Sequence, residues 1–102
     1  MPAADLDLLY SPATELAARI RAKALSPVEL VENTLTRIEE VNPTLNAFCF
    51  TYPDEARTAA QHAEAAVLAG EPLGPLHGLP IAIKDLTPTA GKTTTLGSRV
   101  FE

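Results

Sequence analysis

The stretch SPVELVENTLTRIEEVNP, residues 26–43, decides the fold of this chain because it carries a complete helix signal. Ser26 precedes Pro27, and Glu29 follows three positions after the serine, which is the pattern of a capping box with proline at the first helical position. The Asn-Pro pair at 42–43 is expected to end the helix after Val41, because a residue before proline disfavours helical dihedral angles. Apolar residues recur between these limits at helical spacing: Val28, Leu30, Val31, Leu35, Ile38 and Val41.

Two further helices are predicted on either side of this one. Upstream, SPATEL at 11–16 repeats the serine-proline start and predicts a helix from about Pro12 to Ala24. Downstream, Asp54 is expected to cap a helix over 55–69 whose apolar residues are mostly alanine. Small side chains at helical spacing allow close packing against a neighbour, and Gly70 is expected to end this helix.

Two short apolar segments are predicted to be strands. NAFCFTY at 46–52 alternates and is rich in aromatic residues, and PIAIKD at 80–85 follows a loop dense in glycine and proline. Together with the helices, these segments predict an α/β fold with about three helices and two short strands of a larger mixed sheet. No repeat or linker divides the chain, so residues 1–102 are expected to form a single domain.

Composition excludes several classes of function. The 102 residues carry a formal net charge of −5, and no basic patch of the kind that binds a phosphate backbone is visible. Direct nucleic-acid binding is therefore not expected. The first ten residues lack the features of a signal peptide, and no apolar run is long enough to span a membrane. We therefore expect a cytoplasmic protein without membrane contact.

Cysteine and histidine offer no metal site. The single Cys49 and the isolated His62 and His77 lack the spacing of metal ligands, so neither a metal nor an organic cofactor is expected. Cys49 lies in an apolar stretch and is predicted to be a buried core thiol. His77 is expected to form a hydrogen bond within its loop rather than to act as a base. Ser98 follows a glycine but lacks the surrounding pattern of a nucleophile elbow.

Two lysines remain as candidates for chemistry. The stretch AGKTTT, residues 90–95, is similar to a phosphate-binding loop, but the Walker A pattern needs a glycine at position 86, which is Leu86. Lys84 ends the apolar run Ile81–Ile83, and burial there would remove water from its amine and let it act as a general base. The alternative is a structural lysine that pairs with Asp85 or extends to solvent. Strand geometry disfavours pairing, because adjacent residues point to opposite faces.

Several separated motifs together resemble the amidase signature family. They are the serine-capped helix with its Asn-Pro-x-Leu-Asn-Ala-Phe sequel, the stretch GPLHGLPIAIKDL at 74–86, and TTTLGS at 93–98, all in the family's order. The resemblance implies a Ser–cis-Ser–Lys triad that hydrolyses an amide bond of a small molecule, with Lys84 as the triad lysine. It also implies that Asp85 orients groups near that lysine.

The family's glycine- and serine-rich segment, which supplies both serines, does not occur in these 102 residues. We therefore expect the N-terminal portion of an amidase domain, cut after the lysine segment, with no amidase activity of its own. The substrate stays open, although KDL in place of the KDN expected of amidotransferase subunits favours a general amidase. The alternative functions are a non-catalytic helical interaction module or an amidotransferase-subunit fragment. Exposed strand edges predict that the isolated chain self-associates.

Overall fold

A computed structural model describes residues 3–101, and this part of the chain is helical without any β-strand. The predicted α/β class, with two strands of a larger mixed sheet, is therefore wrong for the described residues. None of the helices between residues 3 and 101 combines the length and the apolar character needed to cross a bilayer. The elements are α1 Leu6–Leu9, α2 Ala13–Arg21, α3 Pro27–Leu45, α4 Pro53–Leu68 and a 3-10 turn at Arg99–Phe101.

Both predicted strands fail because neither finds a partner within residues 3–101. A strand exists only as part of a hydrogen-bonded ladder, whatever its own pattern favours. The segment 46–52 bends at Cys49, and the backbone of Phe48 pairs with a side chain instead. Asn42 Nδ2 donates to the Phe48 carbonyl at 3.1 Å, and Asn42 Oδ1 accepts from the Phe48 N–H at 2.8 Å. Residues 80–83 make no backbone hydrogen bond with the described chain.

Helix α3 begins where the capping signal predicts and ends later. Ser26 Oγ accepts the Val28 N–H at 3.0 Å, and Pro27 occupies the first helical position. The helix then passes through Pro43 and stops at Asn46, which has a left-handed φ of 50°. The predicted end at Val41 is therefore wrong. Pro43 has no N–H to donate to the Glu39 carbonyl, so the helix continues past it with one backbone hydrogen bond fewer.

Helix α2 is shorter than predicted because the chain reverses after Arg21. Lys23 adopts a φ of 62°, and its N–H donates to the Ile20 carbonyl at 3.0 Å. The Ala24 N–H donates to the Arg19 carbonyl at 2.9 Å, which completes a Schellman motif. Ala24 is consequently exposed rather than part of the helix face.

Helix α4 starts with Pro53 as its first residue, so Asp54 lies inside its first turn instead of capping it. Gly70 ends the helix as predicted, with a φ of 73° and an N–H that donates to the Val67 carbonyl at 3.1 Å. Helices α3 and α4 pack against each other, and the short α1, which the sequence did not predict, packs on α3. The buried core cluster consists of Leu8, Leu16, Ile20, Leu25, Leu30 and Val67.

Gly78 connects this core to the segment that carries Lys84. It lies in a turn with a φ of 82°, in the left-handed region that side chains avoid. A Cβ placed on it would lie 2.9 Å from Pro27 Cγ and 3.3 Å from Ile20 Cδ1. The backbone of the turn therefore packs directly on the core, and this contact fixes the start of residues 79–84.

Candidate functional site

A cavity of about 760 Å³ lies between the facing sides of α3 and α4 and the coil segments 47–52 and 78–94. Its walls are mainly apolar, and two lysines contribute to its lining. A cavity of this size with a mainly apolar surface is a common form of small-molecule site. Its lining includes Leu35, Ile38, Ala59, Ile83, Lys84 and Lys92.

Lys84 lies in the wall of this cavity, at the end of a segment that runs without a turn or bend from residue 79. The residue is exposed, so the predicted removal of water from its amine is not found in the described chain. Within residues 3–101, no carboxylate oxygen lies within 4.0 Å of its Nζ. The pairing of Lys84 with Asp85 is therefore wrong for the described residues, whereas the alternative that Lys84 extends to solvent agrees with its exposure.

Asp85 is hydrogen-bonded by the threonine-rich loop, residues 93–98, and does not pair with Lys84. Its Oδ1 accepts the Thr95 N–H at 2.9 Å, and its Oδ2 accepts the Thr95 hydroxyl. The Leu96 N–H donates to the Asp85 carbonyl at 2.9 Å, and Thr95 itself is buried. The hydroxyl and the backbone N–H of Thr95 hold the pKa of Asp85 below its ordinary value. We call these contacts the Asp85–Thr95 clasp.

Lys92, the second lysine of the cavity, is held by α4. Its Nζ donates to Glu55 Oε2 at 2.7 Å and lies 4.7 Å from the centre of the Tyr52 ring. The positive charge of Lys92 is therefore stabilised by the Glu55 carboxylate and by the face of the Tyr52 ring. Sequence reasoning considered Lys92 only as a phosphate ligand and missed this role, because Glu55 lies far from it along the chain.

Other candidates from the sequence lie outside any catalytic arrangement. Cys49 is exposed, so its prediction as a buried core thiol is wrong, because the bend at this residue turns it outward. His77 Nε2–H donates to the Ala63 carbonyl at 2.9 Å, which attaches its loop to α4. Ser98 Oγ accepts the Val100 N–H at 3.2 Å and serves a local turn. His62 is exposed on α4.

The described residues supply an unpaired amine at an apolar cavity, without an activated hydroxyl beside it. No side chain of residues 3–101 hydrogen-bonds Lys84 Nζ, although several threonines line the same cavity. An amine can serve as the general base, but nucleophilic catalysis also needs the hydroxyl that the base activates.

Comparison with known proteins places the sequence of this chain in a family. The profile of the Amidase family matches residues 29–102, which include Lys84, Asp85 and the threonine-rich loop. A glutamyl-tRNA(Gln) amidotransferase subunit from Acidothermus cellulolyticus is 45% identical over 96 residues, which are 94% of this chain and 19% of that protein. No solved structure matches the chain significantly.

Two further relatives carry amidase names. The putative amidase AmiD of Mycobacterium bovis is 41% identical over 88 residues, or 86% of this chain and 18% of that protein. The acylamidase of Rhodococcus erythropolis is 40% identical over 95 residues, or 93% of this chain and 20% of that protein. The chain thus spans about a fifth of the length of these relatives. These matches confirm the resemblance to the amidase signature family, and the chain belongs to the Amidase family.

Proposed function

We propose that this chain is the N-terminal part of a carbon–nitrogen (amide) bond hydrolase in which Lys84 is the general base. The observation that carries the proposal is the position of Lys84 in the wall of the apolar cavity, without a carboxylate of residues 3–101 within 4.0 Å. An ion pair would occupy the amine of Lys84, and an occupied amine could not hydrogen-bond the serine that it is proposed to serve. The names of two relatives, amidase and acylamidase, support the same class of reaction.

The proposed chemistry follows the Ser–cis-Ser–Lys triad that the family resemblance implies. The unprotonated amine of Lys84 accepts the proton of a middle serine, which accepts the proton of the nucleophilic serine. The nucleophile bonds to the amide carbonyl carbon, and the C–N bond breaks as the leaving nitrogen takes a proton. Water then hydrolyses the acyl-enzyme and releases the carboxylic acid. Both serines belong to a glycine- and serine-rich segment that these 102 residues do not contain.

The Asp85–Thr95 clasp supports this assignment. Because the carboxylate of Asp85 is occupied by Thr95, the residue next to the base does not neutralise it. The clasp also ties the Lys84 segment to Thr95 and Leu96. We expect this attachment to limit the positions that the Lys84 backbone can take, as a proton-transfer group requires.

A chimera tests the proposal directly. The matching N-terminal segment of the Rhodococcus erythropolis acylamidase, a fifth of that protein, would be replaced with this chain. Hydrolysis of a small amide would then be measured for the chimera and its variants. Lys84→Ala and Lys84→Arg should each lower kcat by several powers of ten, because triad members act as a unit and arginine does not give up its proton.

Lys92→Ala is the matched control, since it removes the other amine of the same cavity. Its kcat should stay within about tenfold of the unmodified chimera, because its partners are Glu55 and Tyr52 rather than substrate. The 102-residue chain alone should show no turnover. A Lys84→Ala chimera that keeps about half of the unmodified rate would return Lys84 to a structural role.

A further inference from the structure

Thr95 is a buried residue in a loop that is otherwise largely open to solvent. Its relative exposure is 4%, although the two residues after it, Leu96 and Gly97, are exposed. Its hydroxyl oxygen accepts the Gly97 N–H at 3.3 Å, and its hydroxyl hydrogen is donated to Asp85 Oδ2. Because a hydroxyl has a single hydrogen to donate, the first contact helps to direct that hydrogen at Asp85.

The backbone beside Thr95 is held in an unfavourable conformation. Leu96 has a φ of 55°, in the left-handed region that residues with a side chain avoid. Its N–H donates to the Asp85 carbonyl at 2.9 Å, so the backbone and the side chain of Asp85 are both bonded to this loop. Such a conformation persists where the surrounding contacts determine it, and it is common at functional sites. The Asp85–Thr95 clasp is thus maintained against a local cost.

The chain turns at Asp85, so its side chain is not bound by strand geometry to point away from Lys84. The Thr87 N–H donates to the Lys84 carbonyl at 3.0 Å, which places Asp85 at the second position of a turn over residues 84–87. The rule that adjacent residues point to opposite faces applies to a straight strand and not to a turn. A carboxylate released from Thr95 therefore has a cation as its neighbour in sequence.

We propose that Thr95 is a positioning residue for Lys84: its hydroxyl holds the Asp85 carboxylate away from the Lys84 amine and leaves that amine free to act as the base. This role rests on the proposed function, since it concerns the same amine. The lowered pKa of Asp85 agrees with it, because the hydroxyl and the N–H of Thr95 stabilise the carboxylate where it lies. A valine at position 95 has a similar shape but no hydroxyl to donate, so the carboxylate becomes free to pair with Lys84.

The other titratable groups of the cavity do not replace Asp85 in this role. They belong to Cys49, Tyr52, Glu55 and Lys92. Of these, Glu55 supplies a carboxylate, and it is already paired with Lys92 Nζ at 2.7 Å. A nearby opposite charge raises the pKa of a lysine amine. For an exposed pair such as Lys84 and a released Asp85, we expect a rise of about half a pH unit.

Competitive acetylation of the 102-residue chain measures the state of the Lys84 amine without any turnover. Acetic anhydride reacts with the unprotonated amine, so a higher pKa slows the reaction at a fixed pH of about 8. Thr95→Val should lower the rate at Lys84 about threefold relative to the exposed Lys23, as a rise of about half a pH unit requires. Thr95→Ser should leave the rate unchanged, since serine keeps the hydroxyl. Adding Asp85→Asn to Thr95→Val should restore it, because the competing carboxylate is removed.

Two controls separate this pairing from a general loss of structure. Thr93→Val removes the hydroxyl of an exposed threonine in the same loop and should leave acetylation of Lys84 unchanged. Circular dichroism checks that each variant keeps its helices. If Thr95→Val does not fold, Asp85→Asn alone decides the question. In the proposed arrangement Thr95 holds the carboxylate, so its removal should change the rate at Lys84 by less than about twofold. A larger rise would overturn the proposal, because it would mean that Asp85 already pairs with Lys84.

The same variants in the acylamidase chimera connect this role to catalysis. Thr95→Val should move the acidic limb of the kcat/KM profile to higher pH by about half a unit, a shift that a purely structural role would not cause. The proposal is overturned if Thr95→Val leaves the acetylation rate at Lys84 unchanged, even where Lys84→Ala abolishes turnover. A Lys84→Ala chimera that keeps its rate would instead contradict the proposed function, and the positioning role of Thr95 with it.

Discussion

Replacing Gly78 with alanine should destabilise this chain more than an alanine at either of two other glycines. Gly78 has a φ of 82°, and its turn packs on the core at Pro27 and Ile20. Alanine introduces two separate costs there. The left-handed conformation costs about 1–2 kcal/mol for a residue with a side chain. Forcing a methyl group into a packed core costs a further 1–3 kcal/mol or so.

The structure supports the upper part of that second range. The new Cβ would lie 2.9 Å from Pro27 Cγ, and a proline ring within a helix start has little freedom to move. Ile20, at 3.3 Å, is fully buried and cannot move outward. We therefore expect Gly78→Ala to lower the free energy of unfolding by about 3–5 kcal/mol. The whole free energy of unfolding of a native domain is roughly 5–15 kcal/mol.

Urea unfolding followed by helical circular dichroism measures the effect, with all variants at one chain concentration because association adds to stability. Gly74→Ala is the neutral control, since no atom lies within 4 Å of its Cβ position and its φ is not left-handed. Gly70→Ala isolates the conformational cost, because its φ is 73° but its surroundings are open. A Gly78→Ala variant no less stable than Gly70→Ala would refute the steric contact on which the larger value rests.

Three further predictions concern other parts of the chain. Lys23→Gly should raise the free energy of unfolding by about 0.5–1 kcal/mol, because glycine relieves the left-handed φ of 62°; a higher urea midpoint checks this. Asn42→Ala should lower it by about 1–2 kcal/mol and speed hydrogen exchange at the Phe48 amide, since both bonds to that backbone are lost. Because Thr95 lowers the pKa of Asp85, the ionised clasp stabilises the fold above about pH 4, and this contribution disappears as the pH falls further. Stability measured between about pH 5 and pH 2 should therefore decline less for Asp85→Asn than for the unmodified chain.

Helix positions could be predicted from the sequence because their signals are local. Ser26 and Pro27 start α3 through contacts within one turn, and Gly70 ends α4 through its own backbone freedom. The end of α3 could not be predicted in the same way. It depends on a side chain, Asn42, that holds the backbone of Phe48 and keeps the chain helical through Pro43. No propensity scale contains such a contact.

The two strand predictions show the limit of periodicity. Alternation at 46–52 and the apolar run at 80–85 describe what those segments could do beside a partner, and residues 3–101 contain no partner. The burial predicted for Cys49 is wrong for the same reason, because it depended on the strand. Family resemblance found Lys84, whose catalytic role stays a prediction. It did not reveal that Asp85 is bound by Thr95, because such loop contacts depend on tertiary structure.

The pairing of Asn42 with Phe48 also bears on which asparagine of this protein is degraded chemically over time. Asparagine deamidates when the backbone nitrogen of the next residue attacks the side-chain carbonyl and forms a succinimide. Here the next residue is Pro43, whose nitrogen carries no hydrogen and cannot close that ring. The amide that both donates to and accepts from Phe48 is therefore protected from the reaction that would replace its donor with a carboxylate oxygen. Asn46, exposed and followed by alanine, has no such protection, so chemical damage should begin at the end of α3 and spare the contact that holds it.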